Sequence, residues 1–157
     1  MFQIPEFRVW DSRYNNMYYV NSENPHLCLV FSNSNWSLEE TMTAYKIVTS
    51  HRKEGYALMR ATDQVYTAED GYTGDIIFEG DVVKQRTEII AGDPFLTTDI
   101  TGVVVMLEGE WVIDTGMTAR PLFSEVATNE KCGNVFEHRD IWDDLYDRYV
   151  QLNKESV

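Results

Sequence analysis

Two carboxylates separated by one glycine stand in the stretch FEGDVVK, residues 78–84. Glu79 and Asp81 are side chains that work as general acid and base when their surroundings push their proton affinities apart. A catalytic reading needs a third group, such as a histidine, and His138 is the candidate. The structural reading needs nothing more. Gly80 permits a turn that a Cβ would resist, and Asp81 accepts hydrogen bonds from nearby backbone N–H groups, as aspartates in turns do. Val82 and Val83 then begin a strand. Every residue of the stretch is explained this way, so the pair is expected to be structural.

The other candidate chemistry is thinner. Residues 62–81 carry the acids Asp63, Glu69, Asp70, Asp75, Glu79 and Asp81 with no base, and the glycines Gly71, Gly74 and Gly80. A weak cation site is one reading of Asp63, Glu69, Asp70 and Asp75. The calcium-loop register fails, because with Gly71 at the turn position the first and third ligands would be Tyr66 and Ala68. A solvated acidic loop is the expectation instead. Cys28 and His26 make half a zinc site at best, and a structural zinc takes four ligands. Cys132 lies far from Cys28, so the two cysteines imply no disulfide framework. No nucleophile elbow, Walker loop or paired-histidine zinc motif is present. Of the four tryptophans, Trp10 and Trp111 read as strand residues packed in cores and Trp142 as the anchor of a helix. Trp36 sits in an apparent loop and is left open. The expectation is a protein with no catalytic residue, no cofactor and no metal.

The elements that must position these residues are mostly strands. FRVWD (7–11) and MYYV (17–20) flank the polar SRYNN and read as a hairpin. LCLVF (27–31) is a short apolar run expected to be a buried strand. Over 38–53 two patterns compete. Ser37 with Glu40 is a capping-box pattern, and Leu38, Met42, Tyr45 and Val48 recur at helical spacing, which predicts a helix. The β-branched TAYKIVTS argues for a strand. YALMRA (56–61) reads as a strand and 62–81 as loop and turn. VVKQRTEII, then VVVML and WVID around the turn EGE, then ARPLFSEV, give closely spaced strands suited to a small barrel or sandwich. Asp140 is the expected N-cap of a short C-terminal helix with Ile141, Leu145 and Tyr149 on its apolar stripe.

Composition sets outer limits. At 157 residues the chain makes one ordinary domain or two small ones. Its hydrophobic fraction of 43% is that of a packed protein. The net charge of −13, from 26 acids against 13 bases, opposes direct binding to a phosphate backbone. No apolar run approaches the roughly 20 residues of a membrane span, and the N-terminus lacks a secretory pattern. A cytoplasmic location is expected.

Four stretches occur in a telling order: FRVWDSRYNNMYYV, ALMRATD, GDIIFEGDVVK and CGNVFEHRDIWDDL. Together they resemble the YopX family of phage and prophage proteins. The matching positions are Arg8, Trp10, Asp11, Met17, Leu58, Met59, Thr62, Asp70, Gly71, Phe78, Glu79, Gly80, Asp81, Val82, Gly133, Asn134 and Glu137. Two departures stand out. The loop between Leu58 and Glu79 is longer than the family's usual spacing. The family's Glu-Asn-Pro-Glu-Leu becomes Glu137-His138-Arg139-Asp140-Ile141, losing the proline. The resemblance implies an N-terminal β or α+β part, a C-terminal SH3-like barrel and a bacterial host, and no established activity.

The combined expectation is a mainly β or α+β protein. Residues 1–70 form a β-rich part with one helix candidate, and residues 71–157 an SH3-like barrel with a short C-terminal helix. Its expected role is a non-enzymatic interaction or self-assembly module, with a host or phage protein or a second copy as partner. The alternative is an acidic mimic of nucleic acid that occupies the groove of a host DNA-binding protein. Its surface would be drawn from Asp63, Glu69, Asp70, Asp75, Asp143, Asp144 and Asp147.

Overall fold

A computed structural model describes residues 7–20, 25–33, 35–49, 56–67, 73–89 and 97–155. The chain forms two compact units, residues 1–61 and 62–157.

The first unit holds β1 (Phe7–Asp11), β2 (Asn16–Val20), β3 (Leu27–Ser32), β4 (Asn35–Glu40), β5 (Lys46–Thr49) and the start of β6 (Tyr56–Thr67). β1 and β2 form the expected hairpin, closing at the Asp11–Asn16 pair. Asn15 takes φ 47° in the turn, a left-handed conformation that asparagine tolerates well. β1 also pairs with β6, Arg8 facing Met59 and Val9 facing Leu58. Val9, Leu38 and Val48 form the buried centre of this unit, with Tyr18, Leu29, Trp36, Ile47 and Leu58 packed around them.

The predicted helix over 38–53 is absent from the described part of that range, and a β4–β5 hairpin stands in its place. Three local choices decide it. The Ser37 hydroxyl donates to the Glu39 carboxylate at 2.6 Å and caps nothing. Ala44 adopts φ 57°, which no helix interior allows. Ile47, Val48 and Thr49 are β-branched and favour the strand. Leu38 and Val48 face each other across the two strands, so both are buried by pairing. Met42 and Tyr45, the rest of the supposed stripe, are exposed. The run LCLVF also differs from expectation. β3 is the edge of the β3-β4-β5 sheet, and Val30 and Phe31 are exposed on it.

The second unit is built on a five-stranded antiparallel sheet of β8 (Asp81–Glu88), β9 (Thr97–Leu107), β10 (Glu110–Asp114), β11 (Ala119–Pro121) and β12 (Ala127–Asn134), ordered β11-β10-β9-β8-β12. Four strands meander and the fifth returns to pair with the first, the strand order of a small SH3-like barrel. The sheet curls into a half-barrel. β9 and β10 are joined by Glu108 and Gly109 at φ 50° and 82°, a two-residue turn with both centres left-handed. That turn matches the natural twist of the strands it connects.

The centre of the sheet is buried on both faces, which is why the middle of β9 and of β10 reads as a continuous apolar run. Val82, Val103, Val105 and Val112 pack with Tyr149 and Leu152 of α1 (Asp143–Glu155). Their sequence neighbours Val83, Val104 and Ile113 point the other way, where Tyr66 of β6, Ile77 of β7 (Thr73–Phe78) and Leu122 cover them. The stretch 62–81, expected as loop, is therefore largely the β6 and β7 strands, which pair with one another. Residues 68–72 lie outside the described residues. Gly74 is dictated by that pairing, since a Cβ there would sit 2.2 Å from the Tyr66 carbonyl oxygen.

The C-terminal helix exists but starts at Asp143 and not at the expected Asp140 cap. Turns fill 135–141, and the Trp142 and Tyr146 amides make the first helical bonds, to the His138 and Trp142 carbonyls. Ile141 is exposed, and Leu145, Tyr149 and Leu152 carry the apolar stripe instead. Asp143 and Asp144 suit the positive end of the helix dipole.

Candidate functional site

The FEGD turn carries the chain from β7 into β8. Gly80 adopts φ 85°. Its N–H donates to the Val104 carbonyl at 2.9 Å, and its own carbonyl accepts from the Val135 N–H at 3.1 Å. Asp81 is buried, and its Oδ2 accepts from the Tyr66 hydroxyl at 2.7 Å and from the Phe78 N–H at 3.0 Å. Glu79 and Val82 are buried as well. The carboxylate of Asp81 thus holds three successive pieces of chain, β6, the end of β7 and the start of β8, in one arrangement.

The glycine–asparagine motif at the end of β12 has a similar duty. A bulge between Lys131 and Gly133 interrupts the pairing with β8. Gly133 takes φ 123°, and the His138 Nδ1 lies 2.7 Å from where a Cβ would be. Asn134 Oδ1 accepts from the Phe136 and Glu137 N–H groups at 3.0 and 2.8 Å, while its Nδ2 donates to Glu137 Oε1 at 3.0 Å. His138 Nδ1 accepts from the Asn134 N–H at 3.3 Å. This histidine, the proposed third catalytic group, has that nitrogen engaged in closing the turn.

The N-terminal motif completes the picture. Arg8, Trp10, Asp11 and Met59 are all buried, and Leu58 is partly so. Arg8 Nε contacts the Met59 sulfur at 3.4 Å. Asp11 accepts from the Arg13 guanidinium at 3.2 and 3.0 Å, and Arg13 also donates to the Ile47 carbonyl at 2.7 Å. The hydrogen bond it donates to Asp11 holds the Arg13 guanidinium above the ordinary arginine range. That link ties the first hairpin to β5. Thr62, another family position, donates its hydroxyl to the Ile77 carbonyl at 2.6 Å.

The acidic candidates are not gathered into one place. Asp63 and Asp75 are exposed on β6 and β7, over one face of the five-stranded sheet. Asp143, Asp144 and Asp147 are exposed on α1, which covers the opposite face. Asp75 lies 3.8 Å from Lys131, and Asp143 lies 3.7 Å from Arg139. Glu69, Asp70 and Gly71 lie outside the described residues. Among the described residues no three of histidine, cysteine, aspartate and glutamate form a group able to hold a metal ion. Cys28 and Cys132 are free thiols. Burial, reinforced by the nearby Glu130, pushes the Cys132 thiol up. Trp36 proves to lie on β4 and packs partly against the first unit's core.

One feature is unforeseen by the sequence reading. A cleft of about 430 Å³ in the second unit is lined by Asp63, Gln64, Gly109, Glu110, Trp111 and Phe123. Trp111 packs partly against the core and also forms a cleft wall. Phe123 is 61% exposed. The contributors come from β6, the β9–β10 turn, β10 and the segment after β11. Trp111 reads from the sequence as a core residue and Phe123 has no expected role, so no signal in the sequence pointed to the cleft.

Among the described residues no helix is long and apolar enough to cross a membrane. Comparison with curated proteins and with solved structures finds no match. The family model described as YopX protein matches residues 6–140, most of the chain and every matching position set out above, and the protein belongs to the YopX family.

Proposed function

We propose that this protein is a non-enzymatic interaction module of phage or prophage origin, acting in the bacterial cytoplasm by protein–protein contact. The observation that carries the reading is the use to which the family motif is put. The polar groups of Asp11, Asp81 and Asn134 are buried and engaged in hydrogen bonds that fix the chain, Asp81 to Tyr66 on β6, and Asp11 to Arg13 and Asn134 to Glu137 within their own turns. Such groups specify architecture, because a buried polar atom that loses its partner costs about 1–3 kcal/mol. A catalytic carboxylate or imidazole needs instead to face a bound substrate. Recognition then falls to exposed side chains outside the motif.

The nucleic-acid mimic is the weaker reading. It needs one continuous acidic face, and the exposed acids of β6–β7 and of α1 cover opposite faces of the sheet. Self-association has one specific observation in its favour, the edge strand β3 with Val30 and Phe31 exposed, since open edges pair with other chains.

A photo-reactive amino acid placed in turn at Tyr14, Phe31, Met117, Phe123 and Ile141, all exposed, tests the proposal in host cells. Discrete adducts of one mass from a contiguous subset of positions are expected. An adduct of twice the protein's mass from Phe31 would assign self-assembly. Absence of any adduct, together with turnover of a compound in a metabolite screen, overturns the reading.

A further inference from the structure

The cleft of Trp111 and Phe123 has an anchored backbone beside one wall and lining charges of one sign. The Leu122 N–H donates to the Trp111 carbonyl at 3.0 Å, which sets the backbone before Phe123 beside β10. Leu122 is fully buried. Its carbonyl accepts from the side-chain amides of Gln85 at 3.3 Å and Asn129 at 3.2 Å, and Gln85 and Asn129 bond each other at 3.1 Å. Phe123 is thus a large aromatic presented to solvent from an anchored base. Exposing it loses the burial of an apolar ring, a cost that binding would recover.

Two carboxylates, Asp63 and Glu110, stand among the lining residues, and no lysine or arginine does. Gln64 Nε2 donates to Asp63 Oδ1 at 3.3 Å. Gly109 adds no side chain, and the space its Cβ would enter is empty within 4 Å. The contrast with the cleft beside Trp36 is instructive. There Glu39 and Lys46 both line the walls, so the site carries both signs of charge. Aromatic faces attract a cation through their quadrupole, tryptophan most strongly, and carboxylates at the rim add Coulomb attraction. The same carboxylates repel phosphate, which excludes a nucleic-acid backbone as occupant.

Resting on the interaction-module reading, we propose that this cleft takes a lysine or arginine side chain from a basic segment of a partner protein. The cation sits between the Trp111 and Phe123 walls, with Asp63 and Glu110 at the rim.

The test uses the full chain and a fluorescein-labelled peptide of alternating arginine and glycine, followed by anisotropy. Phe123→Ala should weaken binding about two- to five-fold, the worth of one exposed cation–π contact, while Phe123→Tyr retains it. The pair Asp63→Asn and Glu110→Gln should weaken binding and flatten its dependence on salt between about 50 and 200 mM. The pair Asp143→Asn and Asp144→Asn removes the same formal charge from α1 and should change little. If that helix pair weakens binding as much as the cleft pair and Phe123→Ala has no effect, attraction is by net charge alone and the cleft is overturned. No binding of the peptide overturns it equally. Photo-adducts from other positions would in either case leave the interaction reading standing.

Discussion

Replacing Tyr66 by phenylalanine removes one oxygen atom from the turn at Asp81. Tyr66 and Asp81 are 5% and 1% exposed, and the bond between them is 2.7 Å. The ring remains, so no cavity larger than a hydroxyl is left and the transfer term is small. What is lost is a hydrogen bond to a buried carboxylate, worth about 1.5–3 kcal/mol. For a unit of this size that corresponds to a melting shift of roughly 6 °C or more. The measurement is urea unfolding followed by the helical circular dichroism of α1, which belongs to the same unit as Tyr66. The midpoint should fall with the slope unchanged. Tyr14→Phe, at a site 73% exposed, should lie within about 0.5 kcal/mol of the parent. A loss below about 0.5 kcal/mol for Tyr66→Phe would refute the claim that the motif aspartate holds the turn through this bond.

Four further outcomes are expected. Gly102→Ala should destabilise the second unit severely, because its Cβ would lie 2.5 Å from the Asp114 carbonyl oxygen and 2.7 Å from the carbon, both backbone; a melting curve like the parent's would contradict this. Arg148→Met strips the nearly buried Asp114 of guanidinium bonds at 3.2 and 3.4 Å. Because the Gly116 N–H still reaches Asp114 at 2.7 Å, the cost should be about 1–3 kcal/mol, and Asp114→Asn in the same chain should recover part of it in a double-mutant cycle. The raised proton affinity of the Cys132 thiol should make its alkylation by iodoacetamide near pH 8 slower in the native protein than in urea, since the thiolate is the nucleophile. Asp99 is held below the usual carboxylate range chiefly by its hydrogen bond from Arg86. A depressed folded value gives stability present above the unfolded value and lost as pH falls through the folded one. Asp99→Asn should therefore reduce the loss of stability below about pH 4, where unfolded carboxylates titrate, and an unchanged acid profile would contradict it.

How much of this was legible in the sequence depended on how local each signal was. The β1–β2 and β9–β10 hairpins were readable because a few turn residues set them, Asn15 in one and Glu108–Gly109 in the other. The role of Gly80 and Asp81 was readable for the same reason. The segment 38–49 was not, because Leu38 and Val48 fall inside under either period and only pairing across the hairpin separates the two. The start of α1 was misplaced because Asn134 and His138 absorb the residues before it into turns, bonds that no helical periodicity reveals. The strand character of 62–67 was hidden by the acids and glycines of the wider stretch 62–81, which read as loop, although Thr62 and Tyr66 are buried. The cleft could not be read at all. Asp63, Trp111 and Phe123 are brought together by the fold, and nothing in their spacing announces it.

The central claim is that the motif builds the fold and the exposed cleft does the recognising. The most direct test is the affinity of the arginine–glycine peptide for Tyr66→Phe and Phe123→Ala, measured at a temperature where both are folded. Tyr66→Phe should bind like the parent despite its lower stability, and Phe123→Ala should bind about two- to five-fold more weakly with its stability intact. Loss of binding in Tyr66→Phe with full binding in Phe123→Ala would contradict it, and would return the buried motif to the functional site.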